Sequence, residues 1–196
     1  MDYSKLKIGD EAPDVIFSLI EIPRGSSNKY EFDLKYETIR LDRVLHSAVY
    51  YPGDYGLVPE TISDDGDPAD ILVIISHKTF PGCLLRVKPI GLLLMEDSGK
   101  HDYKILGVAY DDPVYQNVNI YHDLSEHLIK QIVNFFETYK TLEGKTTKVL
   151  GWEDEKKAKE YINKVHQKYL KNHSLLFDFF CYNNIKSFQL NKGHQI

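Results

Sequence analysis

A chain of 196 residues, 42% hydrophobic and 27% charged, is long enough for one well-packed domain and short for two. Its net charge of −5 argues against a nucleic-acid binder, which would carry a basic excess. Cys83 and Cys181, with no C-x-x-C pair, exclude a disulfide framework and a zinc ribbon and fit a reducing cytosol; the N-terminus has no apolar signal core, and no tract approaches the ~20 apolar residues of a membrane span.

The first two thirds of the chain read as strands and loops. Val15–Ile20 is an apolar run ending near Pro23, and Arg24-Gly25-Ser26-Ser27 is a turn. Lys29–Leu34 and Thr38–Val44 flank Lys35-Tyr36 as a hairpin. Tyr50–Pro59 carries Pro and Gly at close spacing and is expected to be an ordered loop. Ile71–Ile75 is a buried-type strand. Leu84–Met95 and Tyr103–Val108 are two more, on either side of Asp97-Ser98-Gly99.

Helices come late. Leu124, Leu128, Ile132, Phe135, Phe136 and Tyr139 recur at three- and four-residue steps, so Asp123–Lys140 reads as an amphipathic helix capped by Asp123 or Ser125. Thr146–Leu150 reads as a short strand. Ala158, Tyr161, Ile162, Val165 and Tyr169 mark a second helix from about Glu153 to Leu170. The expected fold is mainly β with flanking helices: one barrel domain over residues 1–170, two amphipathic helices outside it, and a C-terminal extension over 171–196. Within that extension Ser174–Tyr182 is apolar, which predicts that it docks on the domain or on a neighbouring subunit.

The strongest chemical signal is Asp64-Asp65-Gly66-Asp67-Pro68-Ala69-Asp70. Carboxylates this close repel one another unless cations or solvent screen them. Gly66 and Pro68 fix an unusual backbone path, and the run leads straight into a buried strand that would hold Asp70 at its mouth. Oxygen ligands of this kind suit hard cations such as Mg²⁺. The run is not an EF-hand loop, because Ala69 and Asp70 stand where that loop needs an acid and a glycine. Asp97 and Asp102 form a second acidic pair, and Lys104 follows Asp102 by two residues, so on a strand both point the same way. Lys29 and Glu31 share a strand face in the same manner. Arg43 ends the hairpin and Tyr139-Lys140 closes the first helix; Arg, Lys and Tyr are donors suited to phosphate oxygens.

Taken in order, Glu21-Ile22-Pro23, Lys29-Tyr30-Glu31, Asp42-Arg43, Tyr51-Pro52-Gly53-Asp54-Tyr55-Gly56, Asp65-Gly66-Asp67-Pro68-Ala69-Asp70, Asp97, Asp102 with Lys104, and Phe135-Phe136-Glu137 with Tyr139-Lys140 resemble the family I soluble inorganic pyrophosphatases, and Gly151-Trp152 fits as well. The resemblance runs from about residue 12 to 169. It implies a closed, OB-like barrel and hydrolysis of pyrophosphate to two phosphates, with several Mg²⁺ ions per site. By the same resemblance Asp65, Asp70, Asp97 and Asp102 hold metal, with Glu21 and Glu31 helping through waters. Asp67 takes the proton of the attacking water, and Lys29, Arg43, Tyr55, Lys104, Tyr139 and Lys140 hold the phosphates. A homo-oligomer, of the hexameric kind typical of short bacterial members, is implied too. Ala69 and Ser98 depart from the usual pattern, the first in size and the second by lacking a carboxylate.

Two rival classes are weaker. An aspartyl-phosphate enzyme places its D-x-D after a buried strand, whereas here the strand follows the cluster. An OB-like binder of single strands combines basic grooves with exposed aromatics, which the acidic balance opposes.

Overall fold

The computed structural model describes residues 3–33 and 35–190. Among the described residues nine strands form in chain order: β1 (Ile16–Ile22), β2 (Asn28–Asp33), β3 (Thr38–Val44), β4 (Asp54–Val58), β5 (Ala69–Ile74), β6 (Leu84–Asp97), β7 (Lys100–His101), β8 (Lys104–Ala109) and β9 (Thr147–Glu153). Two α-helices follow the strand-rich part, α1 (Glu126–Thr138) and, after β9, α2 (Glu155–Leu190). The fold is mainly β with flanking helices, as the sequence implies.

The pairings run β1–β4–β5–β8–β6 and return from β6 to β1, so these strands close a ring. The long β6 makes the closure. Its first residues, Leu84–Val87, pair with β1; its middle pairs with β8; its end, Leu92–Asp97, pairs with β9. Register shifts at Pro89/Gly91 and Leu94/Met95 allow one strand to turn from neighbour to neighbour. All pairs in the ring are antiparallel except β5 with β8. The hairpin β2–β3 is a separate two-stranded sheet beside it.

Alternation along the strands builds two cores. Ile71 and Val73 of β5 join one with Ile16, Ile20, Val87 and Ile105, and that cluster is completed by Ala158, Ile162 and Val165 of α2. Leu72 and Ile74 join the other with Leu106, Val108 and Met95, completed by Ile132, Phe135 and Phe136 of α1. Strands buried on both faces read as continuous apolar runs rather than as alternation, which is how β5 and β8 look in sequence.

Four expectations change. Tyr50–Pro59 is not wholly loop, because it contains β4, buried along its whole length. Thr146–Leu150 extends to Glu153 as β9. Helix α1 begins at Glu126 with Ser125 as its cap, accepting from Leu128 N–H at 3.2 Å, while Asp123 binds the amides of Asn119 and Ile120. The second helix does not stop at Leu170 but runs on to Leu190, since neither Gly nor Pro interrupts residues 153–192. Leu34 and residues 191–196 lie outside the described residues, and so do the side chains on which the expected docking of Leu175–Tyr182 rests.

Candidate active site

The acidic run lies between β4 and β5 and is closed on itself. Ser63 N–H donates to the Asp67 carbonyl at 2.7 Å, and Gly66 N–H donates to the Ser63 carbonyl at 3.3 Å. Gly66 has φ +100°, a left-handed conformation that few residues other than glycine adopt. At the foot of the loop, Thr61 donates to the Val58 carbonyl at 2.6 Å and accepts from Ala69 N–H at 2.8 Å. Ala69 itself is fully buried. Asp70, one residue on and second in β5, is therefore held in a fixed position, as the buried strand after it implies.

Because β5 and β8 are parallel and in register, Asp70 faces Lys104. The Lys104 ammonium is 4% exposed and donates to both Asp70 and Asp102. Burial works against its charge, but the two carboxylates outweigh burial and hold the ammonium above its ordinary range. Lys140, just past α1, donates to Asp97 at the end of β6. Burial opposes ionisation of Asp97, yet Lys140 brings its carboxyl below the usual range. On the hairpin, Lys29 donates to Glu31 and lies 3.6 Å from Asp42.

These groups face one cavity of about 370 Å³. Its lining includes Glu21, Lys29, Glu31, Tyr55, Asp65, Asp67, Asp70, Asp97, Asp102, Lys104, Tyr139 and Lys140. All the expected site residues but one are among them. The exception is Arg43, which sits opposite Lys29 in the β2–β3 register and does not line the cavity. Its guanidinium donates to Asp42 and, at 2.9 Å, to Glu143. Arg43 is thus separated from Lys29 by the shared carboxylate of Asp42.

Burial raises three carboxyls of this set. Glu21 is pushed up to about 8, chiefly by burial, although Phe32 N–H donates to it at 2.7 Å. Asp67 is raised by burial and then by Asp65 and Asp70. Asp102 is raised by burial against the pull of Lys104. The phenols of Tyr55 and Tyr139 are raised well above the ordinary value by burial and by the neighbouring carboxylates, so both keep their protons as hydrogen-bond donors at neutral pH.

Seven carboxyl groups, of which Glu21 keeps its proton at neutral pH, against three ammonium groups on one cavity wall make an electrostatic deficit that cations relieve. The donors are all oxygens, which suits a hard divalent ion. Among the described residues no three acidic, histidine or cysteine side chains converge as a ready cluster, because the lysines hold the carboxylates instead. The donor set fits divalent cations, and Asp65, Asp67, Asp70, Asp97 and Asp102 are the lining aspartates that could take them.

Some contributors carry no clear signal in the sequence. Glu143 lies a hundred positions from Arg43 and meets it only in the fold. Tyr51 is 2% exposed and packs on Tyr55 and Phe135 at ring distances of 5.4 and 4.7 Å, supporting the cavity floor. Tyr3 and Phe32, stacked 5.3 Å apart, add an aromatic wall. Asp42 was visible as the neighbour of Arg43, but nothing in the sequence shows that it bridges to Lys29.

A strand ring whose mouth gathers carboxylates, ammonium groups and buried phenols defines a site for an anionic substrate bound together with cations. The family model described as inorganic pyrophosphatase matches residues 18–170. The chain is 47% identical over 163 residues to an inorganic pyrophosphatase of Picrophilus torridus, covering 83% of this chain and 92% of that one. It is 49% identical over 163 residues to that of Nostoc sp., covering 83% and 96%. The crystal structure of inorganic pyrophosphatase from Thermus thermophilus superposes with a TM-score of 0.84 at 44% identity, covering 86% of this chain and 99% of the other. The chain belongs to the inorganic pyrophosphatase family.

Proposed function

We propose that this site hydrolyses inorganic pyrophosphate to two orthophosphates with a water activated by Mg²⁺. The observation that carries the reading is the convergence of Asp65, Asp67, Asp70, Asp97 and Asp102 with Lys29, Lys104 and Lys140 on one cavity. Pyrophosphate and hydroxide are both anionic, so the reaction needs positive charge placed beforehand. Mg²⁺, several ions per site, supplies charge to phosphate oxygens and lowers the pKa of water.

Asp65, Asp70, Asp97 and Asp102 would hold those ions, with Glu21 and Glu31 assisting through waters. Asp67 accepts a proton from the attacking water. The water oxygen bonds to one phosphorus as the bond from the bridging oxygen to that phosphorus breaks, and the bridging oxygen leaves with the second phosphate. Lys29, Lys104 and Lys140 bind phosphate oxygens, and Tyr55 and Tyr139 donate their hydroxyls; Arg43, outside the cavity lining, joins them on releasing Asp42 and Glu143. Residues 1–170 form the catalytic domain, 171–196 an extension outside the chemistry. By family resemblance the chain self-associates, as a homohexamer; its two cysteines fit work in a reducing cytoplasm, and no helix of the described residues is long and apolar enough to cross a membrane.

The test separates direct attack by water from an aspartyl-phosphate route through Asp65 or Asp67. Acid-quenched turnover of labelled pyrophosphate leaves all label in free phosphate. Label that stays on the denatured protein contradicts the reading.

A further inference from the structure

Ala158, Ile162 and Val165 turn one face of α2 into the core. Tyr161, Lys164 and Lys168 form the stripe beside it, spaced three and four residues apart. That stripe meets the base of the acid loop. The Tyr161 hydroxyl lies 3.1 Å from Ser63 Oγ. Lys168 Nζ donates to the Ser63 carbonyl at 2.5 Å. Lys164 and Lys168 each lie 3.5 Å from the Asp64 carboxylate. Two backbone contacts run alongside: Ile62 N–H to the Val165 carbonyl at 3.0 Å, and the Glu60 carbonyl to His166 Nδ1 at 2.7 Å.

Ser63 is the hub of this arrangement. Its N–H closes the loop on Asp67, its carbonyl receives both Gly66 N–H and the Lys168 ammonium, and its hydroxyl meets Tyr161. Two turns of one helix thus fix the residue from which Asp65 and Asp67 are hung. The Asp64–lysine pairs are exposed and weak; the Lys168–carbonyl bond is charge-assisted and the Tyr161 contact is half-buried, so these two dominate.

We infer that Tyr161 and Lys168 are positioning residues, which hold the acid loop through Ser63 so that Asp65 and Asp67 face the cavity before any cation arrives. The role of those two aspartates rests on the function proposed above. The fixing of the loop does not, and it is read separately.

The variants are Tyr161→Phe, Lys168→Met and Lys168→Arg in the full chain. The first reading is amide hydrogen exchange of the metal-free protein at Ser63, Gly66 and Asp67. Lys168→Met speeds it about tenfold, the size of one charge-assisted hydrogen bond, and Tyr161→Phe speeds it less. Exchange in β5 and β8 stays as in the unsubstituted chain. The second reading is Mg²⁺ binding by calorimetry without substrate, weakened several-fold in Lys168→Met. The third is turnover, with kcat reduced about tenfold and KM nearly unchanged. Lys168→Arg, which keeps a donor, restores all three. Unchanged exchange at the three amides overturns the inference, and so does exchange that rises evenly across the strands, or an Arg variant that behaves like Met. An unsubstituted chain without pyrophosphate turnover, in which the amides still respond, overturns the function and leaves the loop assignment standing.

Discussion

Asp70 and Lys104 occupy paired positions on the parallel strands β5 and β8, and the Lys104 ammonium donates to the Asp70 carboxylate. Lys104 is buried and also serves Asp102, so in the metal-free protein it neutralises two proposed cation ligands. Lys104→Met leaves them uncompensated. Removing one partner of a buried pair costs about 3 kcal/mol or more. At a few degrees per kcal/mol for a chain of this size, the melting temperature drops by about 10 °C in EDTA. Cations then replace the ammonium, so Mg²⁺ raises the melting temperature of the variant more than that of the unsubstituted chain. Thermal melts with and without Mg²⁺ check this; equal Mg²⁺ shifts in the two proteins count against it.

The roles proposed for Asp67 and Asp70 predict different variants. Asp67→Asn keeps the shape and a metal-capable carbonyl oxygen but accepts no proton at neutral pH. Turnover is expected to fall about 10²–10⁴-fold, the share of a general base. Higher pH restores part of it, because hydroxide then needs no base. Asp70→Asn instead raises the Mg²⁺ concentration required, and excess Mg²⁺ restores part of the rate. Paired pH profiles and Mg²⁺ titrations tell the roles apart. Rescue of Asp67→Asn by Mg²⁺ and not by pH makes Asp67 a ligand.

Much of this site is legible in the sequence because its parts are short and local. The acid run, the Lys29-x-Glu31 face and the Asp102-x-Lys104 step each span a few residues, and strand alternation alone aims them. β4 was missed for a physical reason. Tyr51-Pro52-Gly53 and Gly56 look like turn chemistry, yet Gly56 sits in mid-strand because β1 passes so close: a Cβ there would meet the Leu19 carbonyl oxygen at 2.0 Å. Contacts across long separations left no local trace, as with Arg43 and Glu143 or Ser63 and Tyr161. Helix α2 runs past Leu170 because a change of composition after Lys171 is not a stop signal when no Gly or Pro supplies one.

Asp54 supports the fold without entering the chemistry. It is fully buried and accepts from Arg24 N–H at 2.7 Å, Thr79 N–H at 2.8 Å and the Thr79 hydroxyl at 2.6 Å. Asp54→Ala orphans all three donors, at about 1–3 kcal/mol each where water cannot reach them. Urea unfolding is expected to show a loss of about 3 kcal/mol or more, with activity per folded molecule unchanged. A loss below about 1 kcal/mol shows that water replaces the carboxylate.

The proposed extension is expected to be separable from the chemistry. Among the described residues the last core contact of α2 is Val165 and its last contact to the acid loop is Lys168, and the family match ends at residue 170. Truncation after Ser174 leaves a helical turn beyond Lys168 and is expected to keep kcat within about twofold, since the α2 contacts to core and acid loop named above all lie before it. Sedimentation of the same truncation reports whether the extension serves assembly. A folded, correctly assembled truncation without activity contradicts this division of the chain.

The most direct test is phosphate release from pyrophosphate by the full-length chain, with Mg²⁺, with Ca²⁺ in its place, and in excess EDTA. Two phosphates per pyrophosphate are expected with Mg²⁺ and none in EDTA. Ca²⁺ supports little turnover, because it binds the same oxygens at longer distance and with looser geometry. Full release in excess EDTA contradicts the account.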